Sequence, residues 1–150
     1  MRTKPVIALA VSFLVVLADE ILKILALKFL PDESQMSGKG LVELAIHKNF
    51  GLAFDLPIWL PILCVLSILI IIGLILLIKQ NWQKNPWLAS SAAIICFGAL
   101  GNLFDRLNYG FVVDYIITPI TGSAFNLSDI VIVVGLFLLI WSSKKEKIKK

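Results

Sequence analysis

The chain has 150 residues, 59% of them hydrophobic, with a mean hydropathy of +0.92. A soluble domain is nearer ~45–50% apolar, which argues against an ordinary soluble fold; the chain reads as one integral membrane domain, 1–150, with room for several spans of about 20 residues. The formal charge of +4 says little as a total, and a single histidine, His47, leaves little material for a His-based zinc site or a Ser-His-Asp triad.

Taken in chain order, residues 5–30 form a first span, apolar except for Asp19, Glu20, Lys23 and Lys28. Asp19 and Lys23 are four apart, so they stack on one helical face and pair. Arg2 and Lys4, then an apolar run and Ala18, look like a cleavable leader. The apolar pattern continues past Asp19 to Leu30, however, and the segment is read as a retained helix. In the following loop Val42, Leu44 and Ile46 alternate with Glu43, Ala45 and His47, the period of a half-buried strand. Asn49-Phe50-Gly51-Leu52-Ala53-Phe54 continues it with a turn-like glycine, and Asp55 reads as a solvated loop residue. A short sheet on the outer membrane surface is expected.

A second span covers 56–78, with Trp59 as an interface anchor, and a third covers 87–107. The third is rich in Ala, Gly and Ser, and Gly98, Ala99 and Gly101 let a neighbouring helix approach closely. Asn102, Asp105 and Arg106 at its outer end read as a polar clasp on one face, with Arg106 as the neighbouring cation of Asp105 and a partner for the last carbonyls. The fourth span, 125–141, ends at Trp141 just before the basic tail Lys144–Lys150. Cys64 and Cys96 lie inside apolar runs and read as small buried hydrophobes. The expected architecture is therefore an all-α membrane protein of four transmembrane helices with a small extracytoplasmic β-sheet.

Nine basic residues precede the first span, separate the second from the third, or follow the fourth, against Lys39, Lys48 and Arg106 on the opposite side. That bias places both termini in the cytoplasm. The tail reads as a juxtamembrane segment drawn to anionic lipid. No second basic patch supports nucleic-acid binding.

An ionised carboxylate in hydrocarbon costs roughly 2.5–3.5 kcal/mol even on mild insertion scales, so acids kept there call for an explanation. Asp114 follows Phe111-Val112-Val113, and Asp129 lies three residues after Asn126. One reading makes Asn126 an N-cap and Asp129 its N3 partner, a capping box. The other notes that the short loop between Asp114 and Asp129 sets both at one depth, near the outer interface. Two adjacent carboxylates cannot both ionise easily, so one keeps a proton while the other acts as base, as aspartyl hydrolysis requires.

Asp19-Glu20-Ile21-Leu22-Lys23, Asn49 to Phe54, Gly98-Ala99-Leu100-Gly101-Asn102-Leu103-Phe104-Asp105-Arg106, Gly110-Phe111-Val112-Val113-Asp114 and Phe125-Asn126-Leu127-Ser128-Asp129 occur in this order. Together they resemble the bacterial lipoprotein signal peptidase (signal peptidase II) family over essentially the whole chain. The resemblance implies an inner-membrane aspartyl endopeptidase without metal or cofactor; a monomer with its active site near the outer face is expected. It implies cleavage of diacylglyceryl-modified prolipoproteins just before the lipidated cysteine, with Asp114 and Asp129 as the catalytic pair. Asn49, Gly51, Asn102, Arg106 and Asn126 match positions that line or support the site, and Asp19 with Lys23 match a supporting pair. Asp105 is the substitute candidate for the dyad. Asn49 and Arg106 are expected to hold backbone carbonyls of the substrate peptide.

Three departures stand out. Ser128 replaces the usual Ala, where its hydroxyl has the catalytic carboxylate or a helix carbonyl as candidate partners. Glu20 adds an acid beside the Asp19–Lys23 pair, and the 114–129 segment is short for the family. Three rival functions compete. A Ser/Lys protease would use Ser123 or Ser128 with Lys23 as base, but Asp19 keeps that lysine protonated. A small proton-coupled transporter would need acids stepping across the bilayer, whereas these gather near one interface. A non-catalytic scaffold leaves Asp114 and Asp129 unexplained.

Overall fold

A computed structural model describes residues 3–36, 38, 40–51, 56 and 58–147. Four helices carry the chain: α1 (Thr3–Phe29), α2 (Leu60–Asn81), α3 (Pro86–Tyr109) and α4 (Leu127–Lys147). By length and composition α1, α2 and α3 are each able to cross a bilayer, while α4 contributes a shorter apolar stretch, Leu127–Ser143. The bounds of α2 and α4 lie a few residues downstream of the spans expected from hydropathy, and α4 runs on into the basic segment. Asp55, the Leu52-Ala53-Phe54 part of the loop motif, Lys39 and the last three tail residues lie outside the described residues.

Helix α3 is the hub against which α1, α2 and α4 all pack. Its start is set by Asn85, whose side chain accepts from Leu88 N–H at 3.2 Å, with Pro86 at the first helical position. Its end is set by Gly110 in the left-handed region (φ 81°), whose N–H donates to the Arg106 carbonyl at 3.1 Å. Between these ends the small residues Ala89, Ser90, Ala92, Ala93, Gly98 and Gly101 are buried, so neighbouring backbones come close. A Cβ added at Gly98 would lie 2.8 Å from the Ser128 carbonyl of α4, and one at Gly135 would lie 3.0 Å from the Ile95 amide of α3. Helix α1 buries the stripe Ser12, Val16, Asp19, Lys23 and Ala26 at helical spacing. Helix α2 buries only Leu63 and Ile71.

At one end of this bundle lies a three-stranded antiparallel sheet in the order β1 (Glu43–Asn49), β2 (Val112–Thr118), β3 (Ser123–Phe125). Strand β1 is the one expected from the alternation, but its phase differs. Leu44 is exposed while the consecutive residues Ala45 and Ile46 are both buried, because a register shift falls between Leu44 and His47. Such a bulge turns two successive side chains toward one side. Strands β2 and β3 carry no alternating pattern: Val112 to Tyr115 are all buried, and a strand covered on both faces reads as a plain apolar run. Ala26, Ile46, Val113 and Tyr115 form the core between the sheet and α1.

Substituting Gly98→Val drives a branched side chain against the Ser128 carbonyl and should destabilise the α3–α4 seam by about 1–3 kcal/mol. The measurement is the denaturation midpoint in detergent, with Gly73→Val, where an added Cβ meets nothing within 4 Å, as the unaffected control.

Candidate active site

Four elements bring the polar residues together: the C-terminal parts of α1 and α3, strand β2, and the first turn of α4. At the base of the site Lys23, fully buried, places its ammonium 3.0 Å from Asp19 and 2.8 Å from Asp105. Glu20, partly exposed, stands 3.2 Å away on the same helix. The Asp19–Lys23 pair therefore forms as spacing predicts, and Glu20 joins it. The clasp differs from expectation. Asp105 pairs with Lys23 rather than Arg106, because adjacent helical residues diverge by about 100° and Asp105 faces α1.

The two buried carboxylates hold backbone. Asp105 Oδ2 accepts the Val113 N–H of β2 at 3.1 Å. Asp19 accepts the N–H groups of Leu127 and Ser128 at 3.1 and 3.2 Å, the Tyr115 hydroxyl at 2.8 Å, and the Ser128 hydroxyl. An acid at a helix N-terminus satisfies donors that have no partner within the helix and favours the positive end of its dipole. The hydroxyl of Ser128 thus reaches Asp19, not Asp129 as the sequence allowed. Tyr115 was not read as a site residue. Its signal was a tyrosine in an otherwise apolar strand, since a buried phenol needs a partner. Burial, and then the bond to Asp19, pushes that phenol well above its ordinary pKa.

Above this base lies a ring of amides and acids. The Asn126 side chain accepts the Asp129 N–H at 2.9 Å while Asp129 Oδ2 accepts the Asn126 N–H at 3.1 Å, a reciprocal capping box. The same Asn126 amide donates to Asp114 Oδ1 at 2.7 Å and to Asn102 Oδ1 at 3.2 Å. Asn102 in turn donates to Asp129 Oδ1 at 2.7 Å. Both readings of Asn126 and Asp129 are thus compatible: the box forms, and the same residue ties Asp129 through its backbone and Asp114 through its side chain.

Asn49 donates to Asp114 Oδ2 at 3.1 Å, and its own carbonyl accepts the Gly51 N–H at 3.0 Å. That turn fixes the Asn49 side chain, and one N–H of its amide serves Asp114. Arg106 donates through Nη2 to the Gly51 carbonyl at 3.1 Å, tying the turn to α3, and its buried Nε finds no partner among the described residues. The aromatic rings of Phe50, Tyr109 and Phe111 cluster beside this turn, with the Lys48 ammonium 5.7 Å from the Phe111 ring.

Asp114 is fully buried, whereas Asp129 is half-buried. Burial first, and the nearby Asp129 charge second, push the Asp114 carboxyl up to about 7, against the opposing bonds from Asn49 and Asn126 and the charge of His47. His47 stands opposite Asp114 across the β1–β2 ladder, with Nδ1 2.6 Å from Glu33 Oε2, a placement that sequence reasoning did not anticipate. Among the described residues no group of three or more His, Cys, Asp or Glu side chains is arranged to hold a metal.

Known proteins share this arrangement of elements. Residues 11–145 match the family model described as signal peptidase (SPase) II. The lipoprotein signal peptidase of Teredinibacter turnerae is 34% identical over 145 residues, covering 89% of this chain and 84% of that protein. That of Syntrophomonas wolfei is 39% identical over 141 residues, covering 89% and 93%. A solved structure of a bacterial membrane enzyme, obtained by the in meso method at 2.3 Å resolution, superposes with a TM-score of 0.79 at 25% identity, over 95% of this chain and 90% of its own.

Lys23→Met leaves Asp19 and Asp105 buried without their cation, and breaking such a pair from one side costs about 3–5 kcal/mol. The expected outcome is a large drop in detergent stability. Ser128→Ala, which removes one of the four groups that Asp19 accepts, should cost only about 1 kcal/mol. Equal losses in the two variants would contradict the central place given to Lys23.

Proposed function

The chain belongs to the signal peptidase II family and is an aspartic-type peptidase of prolipoproteins in the bacterial inner membrane, and we propose that Asp114 and Asp129 are its catalytic pair. The observation that carries this reading is Asn126, whose side-chain amide donates to the Asp114 carboxylate and whose backbone N–H donates to the Asp129 carboxylate.

The difference in exposure between the two acids supports distinct roles. Asp114, fully buried and raised to about 7, keeps its proton below neutrality and acts as general acid. Asp129, half-buried and accepting from the Asn102 amide and the Asn126 N–H, is the base. It takes a proton from water as the oxygen adds to the scissile carbonyl. The tetrahedral intermediate collapses with cleavage of the C–N bond, and Asp114 protonates the leaving amine. No covalent enzyme intermediate forms. Asn102, Asn126 and Asn49 hold the two carboxylates, while Arg106 fixes the 49–51 turn and keeps Nε–H for a substrate carbonyl, since a peptide leaving its helix needs polar donors.

The chain acts as one domain of four spans and as a monomer, without nucleic acid. The distribution of lysines and arginines supports cytoplasmic termini, and hence a sheet and acid pair at the outer face. The signal helix of the substrate then enters from the bilayer, with its diacylglyceryl chains left in lipid and the cut falling before the lipidated cysteine. The serine-protease alternative has no free base, because Lys23 is surrounded by three acids.

Asp114→Asn and Asp129→Asn should each lower cleavage of a synthetic diacylated precursor by at least ~10²-fold, the usual weight of a general acid or base, with the fold retained in detergent. Ser123→Ala and Ser128→Ala should keep turnover, and wild-type cleavage by either aspartate variant would sink the assignment. The kcat/KM profile should show an alkaline limb near pH 7, where Asp114 loses its proton. Asn49→Ala removes a bond that favours the ionised form, so the limb moves to higher pH. The same raised value means that the folded state binds more protons than the unfolded chain between about pH 4 and 7, so this group makes stability fall as pH rises through that window. Asp114→Asn removes that slope, as chemical denaturation at several pH values would register.

A further inference from the structure

At the end of the bundle opposite the sheet, α1 and α2 both pack on α3 but barely touch each other. The gap between them is a groove of about 860 Å³. Leu9 of α1, Ile75 and Ile78 of α2, and Phe97 and Leu100 of α3 form its apolar walls and floor, and Lys79, Trp82 and Lys84 stand at its mouth. Neither lysine has an ion-pair partner among the described residues. No acidic residue occurs between Asp55 and Asp105 or before Asp19, and Glu146 at the end of α4 stands among lysines.

We infer that this groove is a binding site for an anionic phospholipid of the leaflet at the α2–α3 turn, with an acyl chain between α1 and α2 and the phosphate at Lys79 and Lys84. The walls suit a hydrocarbon chain, and the two unpaired ammonium groups suit a phosphate at the depth where Trp82 marks the interface. The charge argues against other occupants. The basic tail of this chain would meet like charge at the mouth, and so would the Lys- and Arg-bearing start of a signal peptide. An anionic lipid fills the gap and neutralises the mouth, holding α1 and α2 at a fixed separation on α3. This site lies apart from Asp114 and Asp129 and does not depend on their assigned roles.

The test uses the full chain in vesicles with Trp59→Phe, Trp87→Phe and Trp141→Phe, so that Trp82 alone reports. Vesicles hold equal amounts of phosphatidylglycerol and phosphatidylcholine, with bromine on the acyl chains of one lipid or the other. Trp82 should be quenched with a preference for brominated phosphatidylglycerol of at least about fivefold, the weight of one lysine beside an anionic headgroup. In Lys79→Gln/Lys84→Gln the preference should vanish. Ile78→Trp/Trp82→Phe, which places the reporter on the groove wall, should keep the preference while the lysines remain. Equal quenching by both lipids, or a preference that survives loss of both lysines, overturns the site and leaves the lysines as topology signals alone. Abolition of the preference by soluble glycerophosphate overturns it too, because a free-phosphate site needs no acyl groove.

Discussion

One ammonium group organises the polar end of this molecule. Lys23 sits fully buried between Asp19 of its own helix and Asp105 of α3, and each acid passes the constraint to backbone. Asp105 fixes the start of β2 through Val113, and Asp19 fixes the start of α4 through Leu127 and Ser128. The strand that bears Asp114 and the helix that bears Asp129 are therefore referenced to the same cation. A buried ion pair is weak evidence of added stability in general. Here it converts two charges into a fixed separation between two elements that are not consecutive in the chain.

Asn126 completes the arrangement from above. A capping box is ordinarily a local device worth about 1 kcal/mol of helix stability. In this chain the cap residue is also the donor to Asp114, so helix initiation and the pairing of the two acids are a single event. That economy explains why Asp129 can lie at the head of an apolar helix. Its two oxygens are held by Asn102 and by the Asn126 N–H, and the carboxylate replaces solvent that the bilayer lacks.

Local spacing made much of this legible. The Asp19–Lys23 stack and the Asn126–Asp129 box lie within single helical turns, and the small residues of α3 announced a helix at the centre of a bundle. What escaped was decided across elements. Asp105 chose Lys23 over its neighbour Arg106 because of which helix lay on its side. β2 was hidden because burial on both faces erases alternation, and the bulge in β1 buried Ala45 and exposed Leu44 against the expected alternation, leaving Ile46 buried as expected. Tyr115 and His47 carried no motif, and only the sheet register set them beside the acids.

The order in which these partners leave the ribosome has a consequence for biogenesis. α1 carries Asp19 and Lys23 into the membrane long before Asp105, Val113, Leu127 or Ser128 exist to receive them. At the helix centre each unpaired charge would cost roughly 2.5–3.5 kcal/mol of insertion free energy. Their spacing of four residues lets the helix carry a counter-ion for Asp19 from the start, with Glu20 as a second acid within reach of the same lysine. When α3 and α4 arrive, Lys23 keeps Asp19 and adds Asp105, and the insertion partner of the nascent chain becomes the foundation of the finished fold.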